Sequence, residues 1–291
     1  MINMCTAFKY RTFMGRNYDY EKSYNETITN IPKHAYGNRY SIIGICAGDI
    51  KKRPLLYDGM NEYGLCCSAL AFPGNAIYNK YMDGKYNKPS YDFVFNMLSE
   101  FKTVEEAKQY LEYVNITDDM FDRNTPTSDL HWFICDKEQS ITVEPGETLN
   151  VYDNRHFALT NNPPFPKQTM NCNMADTAIG VYDDLPLEYS SRGMETVGLS
   201  GDLTSMGRFQ RISYYLKKSD HKAFNDNITV FHLLDTVKQP YGATPVGDEY
   251  EYTIYSASYD MTDLKLTVKP YRSLTHIECN MNNDDEWRIT I

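Results

Sequence analysis

Cys5 stands almost at the start of the chain, and a basic and an acidic residue, Arg16 and Asp19, follow it at short range in MCTAFKYRTFMGRNYDYE. The thiolate is the attacking form of cysteine, and near neutrality it needs a base at hand or a depressed pKa. Removal of Met1 to Met4 would make Cys5 the terminal residue. Its own α-amino group, with an unperturbed pKa of about 7.7–8, could then take the thiol proton with no histidine involved. Arg16 would hold the thiolate and Asp19 would orient the amine. The competing readings are a small buried hydrophobe at Cys5 and an ordinary ion pair between Arg16 and Asp19. A two-residue turn at Tyr10 and Arg11 would set Cys5 opposite Arg16 across a hairpin, although Tyr-Arg lacks the residues such turns favour.

Other chemistries find less support. The seven cysteines are odd in number and irregularly spaced, with no C-x-x-C pair. That pattern points to reduced thiols and argues against a disulfide framework or a structural zinc. The six histidines form no H-E-x-x-H or H-x-H arrangement, so no metal site is expected. A net charge of -10 disfavours nucleic acid or an anionic membrane as partner, since either wants a basic face. No apolar run approaches the roughly 18 residues that span a bilayer. The N-terminus lacks the basic-then-apolar pattern of a secretory signal. The expectation is cytoplasmic residence without membrane insertion.

These residues must be positioned by a large fold. The 291 residues show no repeat, low-complexity tract or Gly/Ser-rich linker, and are expected to form one domain. Strand-like segments fill the first quarter, including CTAFKY, RTFMGRN, RYSIIGICAG, RPLLYDGM and YGLCCSALAF. SYDFVFNMLSEF repeats Phe93, Met97 and Phe101 on one helical face, with Ser90 as the expected N-cap. TVEEAKQYLEYV opens with Thr103 and Glu106 in capping-box spacing. Strands return in LHWFICD, SITVEPG, LNVYDN and HFALTNN, with CDKEQS as a hairpin connection. Two further helices are expected at GRFQRISYYLKK and ITVFHLLDTVK, then strands in EYTIYSASYD, KLTVKPY and THIECN. This order suits an α+β layered architecture of antiparallel sheets with paired helices outside them. Cys66 and Cys67 fall in a buried strand and read as packing. Asp202 in SGDLTS reads as a loop-forming or capping residue.

The opening MCTAFKY…FMGRNYDYEKSYNETI resembles the start of the choloylglycine hydrolase family, which contains bile salt hydrolases and penicillin V acylases. YDGMNEYGLCCSALAFPG, LHWFICDKEQSITVE, LNVYDN, ALTNNPPFP and GLSGDLTSMGRFQR continue the resemblance in the same order, from Cys5 through Arg211 and more thinly beyond. The family implies an N-terminal nucleophile hydrolase with a four-layer αββα sandwich that cleaves linear amides by acyl transfer, without a cofactor. It implies Cys5 as nucleophile, its freed amine as base, and Arg16 and Asp19 as their supports. It also implies Asn161 as an oxyanion donor through its side-chain amide and Arg208 as a charged partner close to the nucleophile. Taken alone, Asn161 reads as a turn residue before Pro163 and Pro164, and Arg208 as a solvated helix-start arginine.

The implied substrate is a small-molecule acyl amide, with glycine- or taurine-conjugated bile salts first and penicillin V or an N-acyl homoserine lactone as alternatives. A binding protein with Cys5 blocked is the non-enzymatic reading. The family also implies a homo-oligomer, a tetramer. Three departures stand out. Ala71 precedes FPG where bile salt hydrolases carry Asn and penicillin V acylases Tyr, although its backbone N–H could still serve as the second oxyanion donor. The span from Cys5 to Arg16 is shortened at the hairpin turn. Three residues precede Met4, so Cys5 is exposed either by methionine removal from a start at Met4 or by a cut of the Met4–Cys5 bond.

Overall fold

The computed structural model describes residues 4–47, 53–123, 126–176, 179–180, 191–219, 224–282 and 284–291. Of the segment expected to be removed ahead of Cys5, residues 1–3 lie outside the described residues. The chain opens with a hairpin of β1 (Cys5–Tyr10) and β2 (Phe13–Tyr20), then runs through β3 (Thr27–Ile31), β4 (Ile42–Cys46), β5 (Leu56–Asn61) and β6 (Cys66–Ala71). β7 (Tyr86–Pro89), α1 (Phe93–Glu100), α2 (Val104–Leu111) and β8 (Val114–Thr117) follow. β9 (Leu130–Cys135), β10 (Ser140–Glu144), β11 (Asn150–Asp153) and the short β12 (Ala158–Leu159) lead into α3 (Phe165–Asp176), α4 (Ser205–Lys218) and α5 (Asn227–Asp235). β13 (Thr244–Val246), β14 (Glu249–Asp260), β15 (Lys265–Pro270), β16 (Ile277–Asn280) and β17 (Trp287–Thr290) close the chain.

Two antiparallel sheets form the centre. One has the order β12-β1-β2-β14-β15-β16 with β13 joined to β14, and the other β11-β10-β9-β6-β5-β4-β3-β17. Met14, Ile28, Ile43, Met60 and Phe133 belong to the core between them. α4 packs on β1 and β12, and α5 on β2 and β14, covering the outer face of the first sheet. α1 packs on β5 and β6, where Phe93, Met97 and Leu98 join Trp132 and Ile134 in a second core. The layers are therefore helix, sheet, sheet, helix. Both faces of each sheet are covered, which is why every residue of β1, β3, β4 and β10 is buried.

Local chemistry explains most boundaries. Thr103 Oγ1 accepts the Glu106 N–H and Glu106 Oε2 accepts the Lys102 N–H, a capping arrangement at the start of α2. Thr204 caps α4 by accepting the Gly207 N–H. Ser90 is not the cap of α1: it begins a short 3-10 turn over Ser90–Asp92, and Asp92 takes the cap position without a side-chain bond. α3 was not expected. It buries only Phe165, Gln168 and Cys172, so little of its sequence carries an apolar stripe. β7 and β8 pair in parallel as a small separate sheet, bridged by the two helices between them.

Candidate active site

The site begins with the first hairpin. Tyr10 pairs with Phe13, so the turn is Arg11-Thr12 and not Tyr10-Arg11. Tyr10 is buried whereas Arg11 is half-buried with φ of 51°, so burial of the tyrosine settles which residues turn. The register places Cys5 opposite Tyr18 and Ala7 opposite Arg16. The expected Cys5–Arg16 pairing is thus shifted by two residues. A two-residue shift keeps the same face, and the long Arg16 side chain crosses the diagonal to set Nη2 3.2 Å from Cys5 Sγ.

Arg16 is held on three sides. Nη2 also donates to Ala69 O at 2.7 Å, and Nε lies 3.5 Å from Asp58 Oδ2 in a fully buried ion pair. Asp58 reaches across from β5 in the other sheet, and accepts the Tyr255 hydroxyl at 2.6 Å and the Tyr259 hydroxyl as well. Tyr255 and Tyr259 lie four residues apart on β14, hence on one face.

The backbone side of Cys5 meets a different set. Cys5 N donates to Asn161 Oδ1 at 2.6 Å, and Arg208 Nη2 donates to the same oxygen at 2.9 Å. Arg208 Nη1 donates to Cys5 O at 2.7 Å and to Thr6 Oγ1 at 2.6 Å. It lies 3.9 Å from Asp19 Oδ2. Arg208 is fully buried in the first turns of α4, not solvated. Asp19 Oδ1 accepts the Thr253 hydroxyl at 2.6 Å, while its Oδ2 has no hydrogen-bond partner.

The second sheet supplies an open edge. β5 pairs with β6 only at Cys66, Cys67 and Ser68, so beyond Ser68 that side of β6 is free of the β5 ladder. Phe72 N donates to Asp129 O on the β9 side. Alternation of the ladder turns the N–H and C=O of Ala71 the other way, toward the free edge. There Ala69 O is bonded to Arg16, and Ala71 O accepts Asn161 Nδ2 at 2.9 Å. The Ala71 N–H issues from the same edge. Asn161 is fixed in turn by its N–H on Ser205 Oγ at 2.8 Å and by Gln168 Nε2 on its carbonyl.

Burial dominates the electrostatics. It pushes the Cys5 thiol up, against the pull of Arg16 and with the Asp19 charge adding to the rise. Burial likewise lifts the Asp19 carboxyl to about 6, opposed first by Arg208. Burial would lower Arg16, but the charges of Cys5 and Asp58 outweigh it and hold the guanidinium more firmly protonated than usual. Glu251 stands close by: its Oε1 accepts the Met4 N–H, and burial, with Asp19 beside it, lifts its carboxyl to about 8.

The structure therefore gathers Cys5, Arg16, Asp19, Asn161, Arg208 and the Ala71 backbone in one place. It adds Asp58, Glu251 and Thr253, which sequence reasoning passed over. Their signal was an acidic or hydroxyl residue inside a buried strand, as in LYDGMN and EYEYTIYSASYD. Cys66 and Cys67 are packed in the core as read, and Asp202 organises the loop before α4 through Ser200 and Thr204. Among the described residues no group of three His, Cys, Asp or Glu side chains is disposed to hold a metal ion.

This cluster, set at the head of β1 between two sheets flanked by helices, defines an αββα amidase of N-terminal nucleophile type. A family model described as linear amide C–N hydrolases, choloylglycine hydrolase family, matches residues 4–285. The chain belongs to that family. It is 38% identical over 280 residues to a bile salt hydrolase/transferase of Lactiplantibacillus plantarum, covering 89% of this chain and 86% of that one. It is 35% identical over 277 residues to the bile salt hydrolase/transferase of Clostridium perfringens, covering 84% and 82%. A mutant of conjugated bile acid hydrolase from Clostridium perfringens superposes with a TM-score of 0.88 at 29% identity, over 100% of this chain and 96% of that one. Penicillin V acylase from Agrobacterium tumefaciens shares the fold, with a TM-score of 0.75 at 21% identity over 95% and 86%.

Proposed function

We propose that the chain acts as a single catalytic domain over residues 1–291 and hydrolyses linear acyl amides with Cys5 as nucleophile, once the residues before it are removed. The freed amine takes the Sγ proton, and Sγ bonds to the amide carbonyl carbon. The oxyanion is met by the Asn161 side-chain amide and the Ala71 N–H. The amine returns its proton to the leaving nitrogen, the C–N bond breaks and a thioester remains on Cys5. Water deprotonated by the same amine then attacks, the C–S bond breaks, and acid and thiol are released. Arg16 steadies the thiolate, and Asp19 Oδ2, without a hydrogen bond in the uncut chain, accepts an N–H of the amine. Arg208 holds Asn161 and the Cys5 carbonyl.

The observation that carries this reading is the meeting of Arg16 Nη2 with Cys5 Sγ and of Asn161 Oδ1 with Cys5 N. The bile salt hydrolases among its relatives support conjugated bile salts, glycine or taurine amides, as substrates. A second reading rests on Tyr18, opposite Cys5 and stacked with Tyr57 at 5.0 Å and Tyr20 at 6.1 Å. Such a wall suits a flat aryl acyl group, as in penicillin V. The unbonded state of all seven cysteines supports a cytoplasmic location, and the family resemblance supports a homotetramer.

The test is intact mass, followed by hydrolysis of a glycine-conjugated bile salt and of penicillin V beside Cys5→Ser. A mass beginning at Cys5 with activity lost in the variant is expected, and the preferred substrate chooses between the two readings. A chain that keeps Met4 and cleaves neither substrate is the binding protein instead.

A further inference from the structure

LHWFICDKEQSITVE is part of the family resemblance, yet none of its residues enters the mechanism above. The structure gives two of them a place behind the oxyanion donors. His131 on β9 and Glu144 on β10 lie one position beyond the Trp132–Val143 pair, and both are buried. His131 Nε2 lies 2.8 Å from Thr160 O, and its Nδ1 lies 3.2 Å from Glu144 Oε1. Glu144 Oε1 also accepts the Phe165 N–H at 2.8 Å. The other side of the imidazole stacks on Phe72, ring to ring at 4.3 Å and within 8° of parallel.

Thr160 and Phe165 bracket the loop that carries Asn161, and Phe72 follows Ala71. One buried pair thus grips both halves of the oxyanion site. A carbonyl oxygen only accepts, so Nε2 is the donor in the bond to Thr160. A lone buried His–Glu pair in a core would have no reason to touch both segments.

We propose that His131 and Glu144 are positioning residues that set the spacing between the Asn161 amide and the Ala71 N–H, and through it the rate of amide attack. The inference rests on the amidase reading. Its test uses two reactions of one thiol. Amide hydrolysis passes through an oxyanion, whereas alkylation of Cys5 by iodoacetamide displaces iodide from a saturated carbon and forms none. In His131→Ala, kcat on whichever amide the wild type cleaves should fall about 10–100-fold, the scale of an ångström-sized misplacement. KM should stay within about twofold, since substrate binding is untouched, and the alkylation rate should not change. His131→Gln keeps an N–H for Thr160 O and should recover most of kcat. Unchanged kcat, or kcat and alkylation falling together, overturns the proposal. If His131→Ala does not fold, Glu144→Ala against His131→Gln makes the same comparison.

A crystal structure of His131→Ala, or of Glu144→Ala in its place, reads the same point without substrate. Asn161 Nδ2 should leave Ala71 O, from which it stands 2.9 Å in the wild type, and should remain there in His131→Gln. An unmoved Asn161 in the alanine variant sinks the proposal. A wild type that cleaves no amide refutes the amidase reading, and the Asn161–Ala71 distance still decides this one.

Discussion

Glu251→Gln offers a quantitative check on the electrostatics of the uncut chain. Glu251 is buried on β14, accepts the Met4 N–H, and has its carboxyl lifted from 4.5 to about 8 by burial and then by the Asp19 charge. The unfolded chain releases this proton near 4.5, while the folded chain keeps it to about 8. The folded state thus binds more protons across that window, and stability falls as pH rises through it. At about 1.36 kcal/mol per pH unit, the loss between pH 5 and pH 8 is roughly 3–4 kcal/mol, a ceiling because Asp19 shares the repulsion. Glutamine keeps an oxygen for the Met4 N–H and cannot ionise. Urea unfolding of Cys5→Ser and of Cys5→Ser with Glu251→Gln at pH 5, 6, 7 and 8 measures the difference, with intact mass confirming that Met4 is present. The double variant should gain on its parent steadily with pH. Parallel curves would refute the reasoning, since His156, which does not face Glu251, titrates in both proteins and cancels in the difference.

Asn161→Ala removes one proposed oxyanion donor and should lower kcat about 10²–10³-fold in a protein whose circular dichroism is unchanged. Asp58→Ala leaves Arg16 buried without its counter-charge and should cost about 3–5 kcal/mol in chemical denaturation. A Cβ at Gly15 would collide with the Phe8 ring, so Gly15→Ala should lose about 1–3 kcal/mol by the same assay. Burial holds the Cys5 thiol up in the uncut chain, so the pH midpoint of iodoacetamide alkylation should lie above 9 there. It should fall once the terminus is freed and a positive amine stands beside the sulfur.

Legibility in the sequence followed the range of the forces involved. Thr103 and Glu106 announced α2 because a capping box is closed within four residues. Phe93 and Met97 announced α1 because their face is periodic, but Ser90 was misjudged as its cap because the intervening 3-10 turn depends on packing. α3 stayed hidden: Phe165, Gln168 and Cys172 are its buried contacts, two of them not strongly apolar. The hairpin register went astray by two residues because turn chemistry at Tyr10-Arg11-Thr12 is weak and burial of Tyr10 decided it. Cys5, Arg16 and Asp19 were legible as a local cluster. Asn161, Arg208 and Ala71 were legible only through resemblance, since they are 66 or more residues from Cys5 in sequence. Asp58, His131 and Glu144 were not legible, because a buried charge in a strand acquires meaning only when its partners on other strands are known.

The position of the nucleophile at the head of β1 has a reason in the ladder. β12 pairs with β1 at Ala7–Leu159 and Phe8–Ala158. Continuing that register by two residues brings Asn161 opposite Cys5, and there the strand ends. In an unbroken ladder the Cys5 N–H would be spent on a backbone carbonyl. Instead the chain turns away, with Asn161 N bound to Ser205 and its carbonyl to Gln168, and the Asn161 side chain takes up the Cys5 nitrogen. A side-chain amide, unlike a carbonyl, has a donor as well as an acceptor. Asn161 can therefore hold the nitrogen with Oδ1 while Nδ2 reaches Ala71 on the opposing sheet. The same termination frees the nitrogen of Cys5 for the acid–base work proposed above and brings the proposed oxyanion donor beside it. On the proposed mechanism, ending one short strand two residues early meets two needs of amide cleavage.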